Sequence, residues 1–440
     1  MFAAKNELLT RPNGGYNLTR SLRFRSSASA YLNRTPAAAS NRKTWTWSAW
    51  VKRGTLNSSG AVAYPLFAVP TGTTDSTWFE FRFVSDYLYV GGYSTNWRVT
   101  SQVFRDPAAW YHIVLSVDTT QATANDRLKL YINGVQVTAF STTNNPTQNA
   151  DLGINQASTT YINLSNGFYF DGYMAEVNFI DGQALTPSSF GAFSPYNQWL
   201  PKKYAGTYGT NGFYLPFTNN ASTTTLGYDF SPQGNNWTTN NISVTAGSTY
   251  DSMTDVPTLT SATAANYCVL NALDKTTGTL SNGNLTWYNA ASSQACVRST
   301  MAIPRTGKWY WEAYLTNPVG ANSSGIALST FGMASFIGDT NSWAYHTNGY
   351  KYVSGVGTAG FGSVGVTGNI FSYDYDSSTG TLRGYHNGTL QGTIVTGLAA
   401  ADYFAAYSSY GGGQWDANFG QRPFNYSPPS GFVALNTFNL

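Results

Sequence analysis

Side chains able to do covalent chemistry are few in this sequence, and their spacing works against it. Cleaving a glycosidic bond takes two facing carboxyls, about 5–5.5 Å apart for retention or about 6.5–9.5 Å for inversion. The glutamates Glu7, Glu80, Glu176 and Glu312 are isolated from one another, and no E-x-D-x-x-E strand occurs. Asp374 and Asp376 stand at i and i+2, about 7 Å apart on one strand face. They lead straight into the loop at 377–380, however, where short acidic residues bond backbone amides. The histidines, His112, His346 and His386, never reach metal-ligand spacing, and no G-x-S-x-G elbow offers a nucleophile. The chain reads as non-enzymatic.

What it offers instead is ring faces beside amides. Saccharide recognition uses exposed aromatic faces next to amide and hydroxyl donors. Tyr93, Trp97, Tyr345, Tyr350, Tyr410 and Trp415 fall among Asn, Ser and Gly in this way, in a chain that is 16% aromatic. Tyr410, Trp415, Tyr345, Tyr350 and Trp97 are the ligand-binding candidates. Trp45, Trp47, Trp309 and Trp311 alternate along strands and are expected in cores.

The elements that position these rings are strands. Residues 44–52 (TWTWSAWVK), 78–84, 87–90 and 110–118 (WYHIVLSVD) alternate with a period of two. Residues 127–137 form a hairpin around Asn133 and Gly134, the dipeptide of a type I′ turn. A second block starts near 265 and holds KWYWEAYL at 308–315, a hairpin around Asn387 and Gly388, and the ending NFGQRPFNYSPPSGF. No convincing amphipathic helix interrupts either block. The fold class is therefore all-β, with two antiparallel sandwiches. The expected organisation is an arm at 1–20, a sandwich at 21–195, a connector at 196–264 and a sandwich at 265–440. The connector is rich in Gly, Asn, Thr and Ser but repeats aromatics too often for a free linker, among them Trp199, Tyr204, Tyr208, Phe213, Tyr214, Phe217 and Trp237. It is expected to pack on both sandwiches and fix their angle.

Composition narrows the classes further. At 440 residues the chain is long enough for two or three cores of about 150 residues each. Charged residues make up 10%, where soluble proteins carry roughly 25%, so Asn, Ser, Thr and Gly must keep the surface wet. A net charge of +3 without a basic stripe argues against nucleic acid. Cys268 and Cys296 give at most one bridge and are expected as buried thiols. The first residues lack a secretory pattern, and no apolar run approaches a membrane span. A protein of this kind working outside a cell would leave by lysis, by a leaderless route or on a particle.

Several ordered motifs resemble known families. SLRFRSSASAYL, TWTWSAWVKR, WYHIVLSVD, RLKLYINGVQV and FDGYMAEVNFIDGQALTPSSF, over about 20–195, resemble the laminin G-like, concanavalin A-like jelly roll. The WYWE strand at 309–312, the GD…SW segment around Gly338 and Trp343, the D-x-D and hairpin at 374–388, and NFGQRPF…GF resemble the SPRY domain over about 265–436. Together with YGTNGFYL, LGYDFSPQGNNW and YDSMTDVPT in the connector, the whole chain looks like tailed-bacteriophage virion proteins described as tail fibres or other appendages.

That resemblance implies a concanavalin A-like fold in both blocks and a place on the exposed virion surface after assembly in the host cytoplasm. The implied partners are other virion proteins and a host-surface glycan or protein, with a homotrimer as the usual state although no heptad repeat is present. Neither nucleic acid nor membrane insertion is implied. SPRY domains bind through loops at one end of the sandwich, which puts Tyr410 and Trp415 first among the candidates. Laminin G-like modules sometimes hold Ca2+ between loops, and Asp118, Asp126, Asp151, Asp171 and Asp181 are the available oxygens; otherwise no cofactor is expected. Lectin-like host recognition leads, a purely structural decoration role is the alternative, and glycan depolymerisation comes third.

Overall fold

The computed structural model describes residues 16–56 and 62–440. Strands account for 44% of the chain and helix for 3%, and the sheets are antiparallel except where Val433–Ala434 runs parallel to Lys308–Asn317. The chain divides into two compact units, one reaching Val244 and taking in 251–260, the other made of 245–250 and 261–440.

The first unit is a sandwich of two eight-stranded sheets. One has the order Val135–Gln136, Leu128–Ile132, Trp110–Asp118, Thr44–Arg53, Gly172–Asp181, Ser21–Phe24 and Ser252–Met253, with Phe213–Leu215 pairing Gly172–Asp181. The other runs Phe140–Thr143, Asn96–Val103, Tyr87–Gly91, Trp78–Val84, Ala63–Pro70, Thr160–Ile162, Tyr31–Arg34 and Thr238–Asn240. Period-two alternation sends Trp45, Trp47, Phe67, Phe79, Phe81, Val90 and Leu115 into one core between them. Burying an indole of roughly 200 Å² is worth about 5 kcal/mol by area, so Trp45 and Trp47 are anchors of that core.

Three strands of the two large sheets come from the segment expected as a connector: Phe213–Leu215, Thr238–Asn240 and Ser252–Met253. Thr238–Asn240 pairs Tyr31–Arg34 in the second sheet, and Ser252–Met253 pairs Ser21–Phe24 in the first. The segment is thus part of both sheets of the first sandwich, while 245–250 and 261–264 go with the second unit.

Of the expected arm, residues 1–15 lie outside the described residues. Residues 16–20 are held in place: Leu18 is buried, its N–H donates to Thr258 Oγ1 at 3.2 Å, and Arg20 donates to the Ser252 carbonyl at 3.1 Å.

After Asp181 the chain turns back over the outer face of the first sheet. Phe190, Tyr204, Tyr208 and Tyr214 pack there on Val114, Tyr131 and Ile180. Trp199 lies over the Asn133–Gly134 turn, where a side chain on Gly134 (φ 82°) would collide with the indole. Two buried ion pairs fasten the far end: Lys52 Nζ to Asp255 Oδ2 at 2.7 Å, and Arg23 Nε to Asp251 Oδ1 at 3.1 Å. We call this the clad sheet and its partner the open sheet.

The second unit repeats the plan. One sheet has the order Leu270–Lys275, Ala295–Ile303, Tyr403–Ser409, Ser323–Leu328, Ser342–His346, Lys351–Val353 and Val356–Thr358. The other has Thr279–Ser281, Thr286–Tyr288, Gln414–Asn418, Lys308–Asn317, Ile370–Asp376, Thr381–His386 and Thr389–Val395. Trp309 and Trp311 are buried, and Cys268 and Cys296 are buried free thiols. Glu312 is also buried, where its carboxylate accepts the backbone N–H groups of Asn425 and Tyr426 and fixes the C-terminal segment.

Candidate functional site

The five candidate rings separate into two groups. Trp415 is wholly buried: its strand, Gln414–Asn418, begins one residue after the glycine run, its Nε1–H donates to the Ser408 carbonyl at 3.1 Å, and its ring meets Phe371 edge-on at 5.6 Å. Tyr345 is buried too, with its hydroxyl donating to the Ser363 carbonyl at 2.7 Å and its ring between Phe361 and Phe371. Trp97 is 2% exposed and packs toward Phe79. An indole or phenol this enclosed cannot stack on a sugar, so Trp415 and Tyr345 are corrected to core residues, and Trp97, nearly buried, only lines the cleft described below. Tyr350 and Tyr410 stay exposed, at 37% and 41%.

The strand register brings those two to one end of the second sandwich. Ser323 pairs both His346 and Ser408, so the turn at 347–350, the loop at 318–322 and the loop at 410–413 are neighbours. The Thr347 N–H donates to the Asn322 carbonyl at 2.9 Å, and Gly320 (φ 78°) leaves no room for a side chain against the Tyr410 carbonyl. The segments 289–294, 318–322, 347–350, 359–369, 387–388 and 410–413 meet at this end without one Asp, Glu, Lys or Arg. Val319, Val364 and Val366 project from it, each more than half exposed.

The first sandwich has a cleft of about 450 Å³ at one end, between the turns at 71–77 and 92–95 and the loop at 144–152. Trp97, Pro146, Ala150 and Leu152 supply its apolar lining, and Asp75, Ser76, Thr95, Asn145, Thr147 and Asp151 its polar rim. The rim is held from behind. Arg98 donates to Asn145 Oδ1 at 2.7 Å and to the Trp97 carbonyl at 2.9 Å, Asp75 Oδ1 accepts the Ser94 N–H at 3.0 Å, and Arg42 donates to the Leu152 carbonyl at 2.9 Å. Asp151 is half exposed, with Lys43 Nζ 3.9 Å away. Fixed amide and carboxylate oxygens around an apolar floor suit a ligand with many hydroxyls. Sequence reasoning singled out Trp97 and Asp151 but not the site; the signal was the pair of Thr- and Asn-rich loops, TGTTDST and NNPTQNAD, that frame it.

The five aspartates considered for Ca2+ do not converge, and no group of three acidic, histidine or cysteine side chains gathers among the described residues. Their oxygens are turned to protein donors. Asp118 accepts from Thr120 and Gln121, Asp171 from Ser26, and Asp181 from Asn41, Asn155 and Asn211, while Asp126 pairs with Lys129. A calcium ion takes six to eight oxygens, and this donor set does not fit one.

Nor do Asp374 and Asp376 form an acid–base pair. Asp374 is buried, accepts two bonds from Arg383 Nε and Nη2, at 2.8 and 2.6 Å, and one from the Tyr385 hydroxyl at 2.6 Å. Asp376 accepts from the Ser378 N–H and hydroxyl, which hold it below the usual carboxylate range despite partial burial.

His112 lies buried on the clad sheet between Trp50 and Trp199. Trp199 Nε1–H donates to its Nδ1 at 3.0 Å, so Nε2 carries the proton and faces Ser48 Oγ at 2.9 Å. Its basic nitrogen is thus capped by an indole, and burial pulls its pKa down to about 3. Ser48 therefore has no base. Glu176 sits at a bulge with φ 54°, where its Oε1 accepts from the Tyr214 hydroxyl at 2.7 Å and the Tyr16 hydroxyl at 2.9 Å. Burial pushes it up to about 7, against those two hydroxyls and Lys203, which lower it. It fixes chain segments in place and does not face the cleft.

With this geometry in hand, comparison gives the class of the first unit. A family model of the Concanavalin A-like lectin/glucanases superfamily, of the laminin G type, matches residues 26–189. Among solved structures, the SPRY domain of human HERC1 is 14% identical with a TM-score of 0.31, covering 34% of this chain and 96% of that one. The TRIM65 PSpry domain is 14% identical with a TM-score of 0.28, covering 34% and 92%. A Bacteroides ovatus ATCC 8483 protein, provisionally described as carbohydrate binding, is 20% identical with a TM-score of 0.33, covering 51% and 59%. No curated protein matches the sequence.

Proposed function

We propose that this chain is a non-catalytic carbohydrate-binding protein displayed on a bacteriophage virion, as a tail fibre or similar appendage, and that it recognises host-surface glycans. The observation that carries the reading is the preformed cleft at the end of the first sandwich, with its apolar floor and its rim of Asp75, Asn145 and Asp151. The superfamily match over 26–189 supports it, and the virion setting rests on the sequence resemblance. The isolated chain should bind cells of a susceptible host, and Ala150→Trp, which fills the cleft, should weaken that binding at least about tenfold. Undiminished binding by Ala150→Trp removes the cleft from the reading, and no binding to any susceptible host removes the reading.

A second reading has its own support. The uncharged end of the second sandwich, with Val319, Val364 and Val366 exposed, suits contact with neighbouring virion subunits better than recognition of an ionic ligand. It predicts that Val364→Lys impairs incorporation into particles while host binding by the free protein is unchanged.

A further inference from the structure

The outer face of the open sheet carries a second feature that the cleft does not absorb. Leu32 and Ile162 point into the core, so Tyr31, Asn33 and Tyr161 point outward from adjacent strands. Tyr161 pairs Asn33 directly, and Asn33 pairs Thr238 on the strand beyond, giving a row of ring, amide and hydroxyl. Tyr169 closes one side. It rises on the hairpin Leu164–Ser165 and Phe168–Tyr169, and its ring centroid lies 6.2 Å from that of Tyr31, which is itself 5.9 Å from Tyr161. Ser165 roots this hairpin on Glu80. Asn240 closes the other side and donates to Asn33 Oδ1 at 2.7 Å. From the outer strand to Tyr161 is two strand spacings, about 10 Å, a strip bounded on one side by the Tyr169 hairpin that we call the trough.

Two properties of this trough point to its occupant. Asn33 Nδ2 and the hydroxyls of Tyr31, Tyr161 and Tyr169 have no protein partner among the described residues. They stand as hydrogen-bonding groups beside half-buried rings. The lining, Tyr31, Asn33, Tyr161, Tyr169, Thr238 and Asn240, also contains no ionised group. An ionic ligand would lose its hydration here against no counter-charge, so charge complementarity selects a neutral one.

We propose that this trough binds an extended neutral polysaccharide, its sugar rings against Tyr31 and Tyr161 and its hydroxyls on Asn33 and Asn240. The proposal rests on the carbohydrate-binding reading but names a different surface and a narrower ligand class. Migration of the full chain in native gels cast with dextran, mixed-linkage β-glucan or galactomannan tests it, with alginate as the acidic counterpart. Retardation is expected in at least one neutral gel and not in alginate. Tyr161→Ala and Tyr31→Ala should each weaken it about tenfold, and Tyr161→Phe, which keeps the ring, by no more than about threefold. Unchanged thermal melting of Tyr161→Phe and Tyr161→Ala shows that folding is not the cause.

Undiminished retardation of Tyr161→Ala overturns the proposal. If Ala150→Trp abolishes retardation while Tyr161→Ala keeps it, the cleft is the site and the trough is not. Retardation in alginate alone overturns the neutral occupant while leaving carbohydrate binding in place. Retardation in no gel overturns the trough, and host-cell binding then decides the cleft separately.

Discussion

The two outer faces of the first sandwich are built from the same kinds of residue and differ in whether chain covers them. On the clad sheet, Trp50 and His112 lie under returning chain, with Trp199, Tyr204 and Tyr208 in the covering layer. On the open sheet, Tyr31, Tyr87, Tyr89, Tyr161 and Tyr169 are half-buried, and their strands carry no such layer among the described residues. Aromatic content alone does not separate a covered face from an open one. What separates them is whether later chain returns over the sheet.

The largest test of the clad side is Asp255→Ala. It leaves Lys52 buried without its carboxylate and also removes the acceptor of Trp110 Nε1–H at 3.0 Å. The expected loss is about 3–5 kcal/mol in urea unfolding of the first unit; a loss below about 1 kcal/mol would mean the pair is wet and the sheet not sealed.

Next comes pH, because the clad side holds two titrating groups of opposite sense. Glu176, raised from 4.5 to about 7 and facing Tyr16, Tyr208, Tyr214 and Lys203, binds its proton more tightly when folded. Its contribution is complete below pH 4.5 and is lost as pH rises to 7. His112, lowered from 6.5 to about 3 by burial, costs stability as pH falls from 6.5 toward 3. The two oppose each other between pH 4.5 and 6.5. Glu176→Gln should remove one slope and expose the other, making the variant about 2 kcal/mol less stable at pH 5 than at pH 7.5. A variant equally stable at both values would show that His112 is not sealed.

Trp199→Ala strips the indole from His112 and from the Asn133–Gly134 turn, and a loss of about 2 kcal/mol is expected for this half-buried ring. Limited proteolysis sharpens the same point: the native chain should resist cleavage at 199–215 while Trp199→Ala is cut there. The smallest effect belongs to the open side. Tyr161→Ala should change unfolding by no more than about 1 kcal/mol, and a larger cost would make its ring a packing residue like those opposite.

Much of the architecture was legible in the sequence because alternation and turn chemistry are local. The Asn133–Gly134 and Asn387–Gly388 turns have the positive φ values their dipeptides imply, and Trp45, Trp47, Trp309 and Trp311 are core. The burial of Trp415 and Tyr345 was not legible, because a ring just after glycines or just before a turn has the composition of a loop. Whether such a ring points inward depends on where the strand starts and which neighbours it meets, and no nearby residue states either. The strand Thr238–Asn240 is three residues, too few to show a period, and its partner Tyr31–Arg34 lies far off in sequence, while 213–217 reads as a strand without any sign that it pairs Gly172–Asp181. The cleft escaped for a similar reason, since its walls come from three loops between 71 and 152 that only the sheet brings together.

The strand Ser252–Met253 also has a consequence in time. It pairs with Ser21–Phe24 across some 230 residues, and the carboxylates that neutralise Arg23 and Lys52 arrive only with Asp251 and Asp255. At about 5–20 residues per second, a ribosome needs on the order of ten seconds or more to travel that distance, and during that interval the emerging sandwich holds two unneutralised cations and an uncovered aromatic face. Long-range closure of this kind folds slowly, so the nascent first unit is a natural client for chaperones until its last strand has left the exit tunnel.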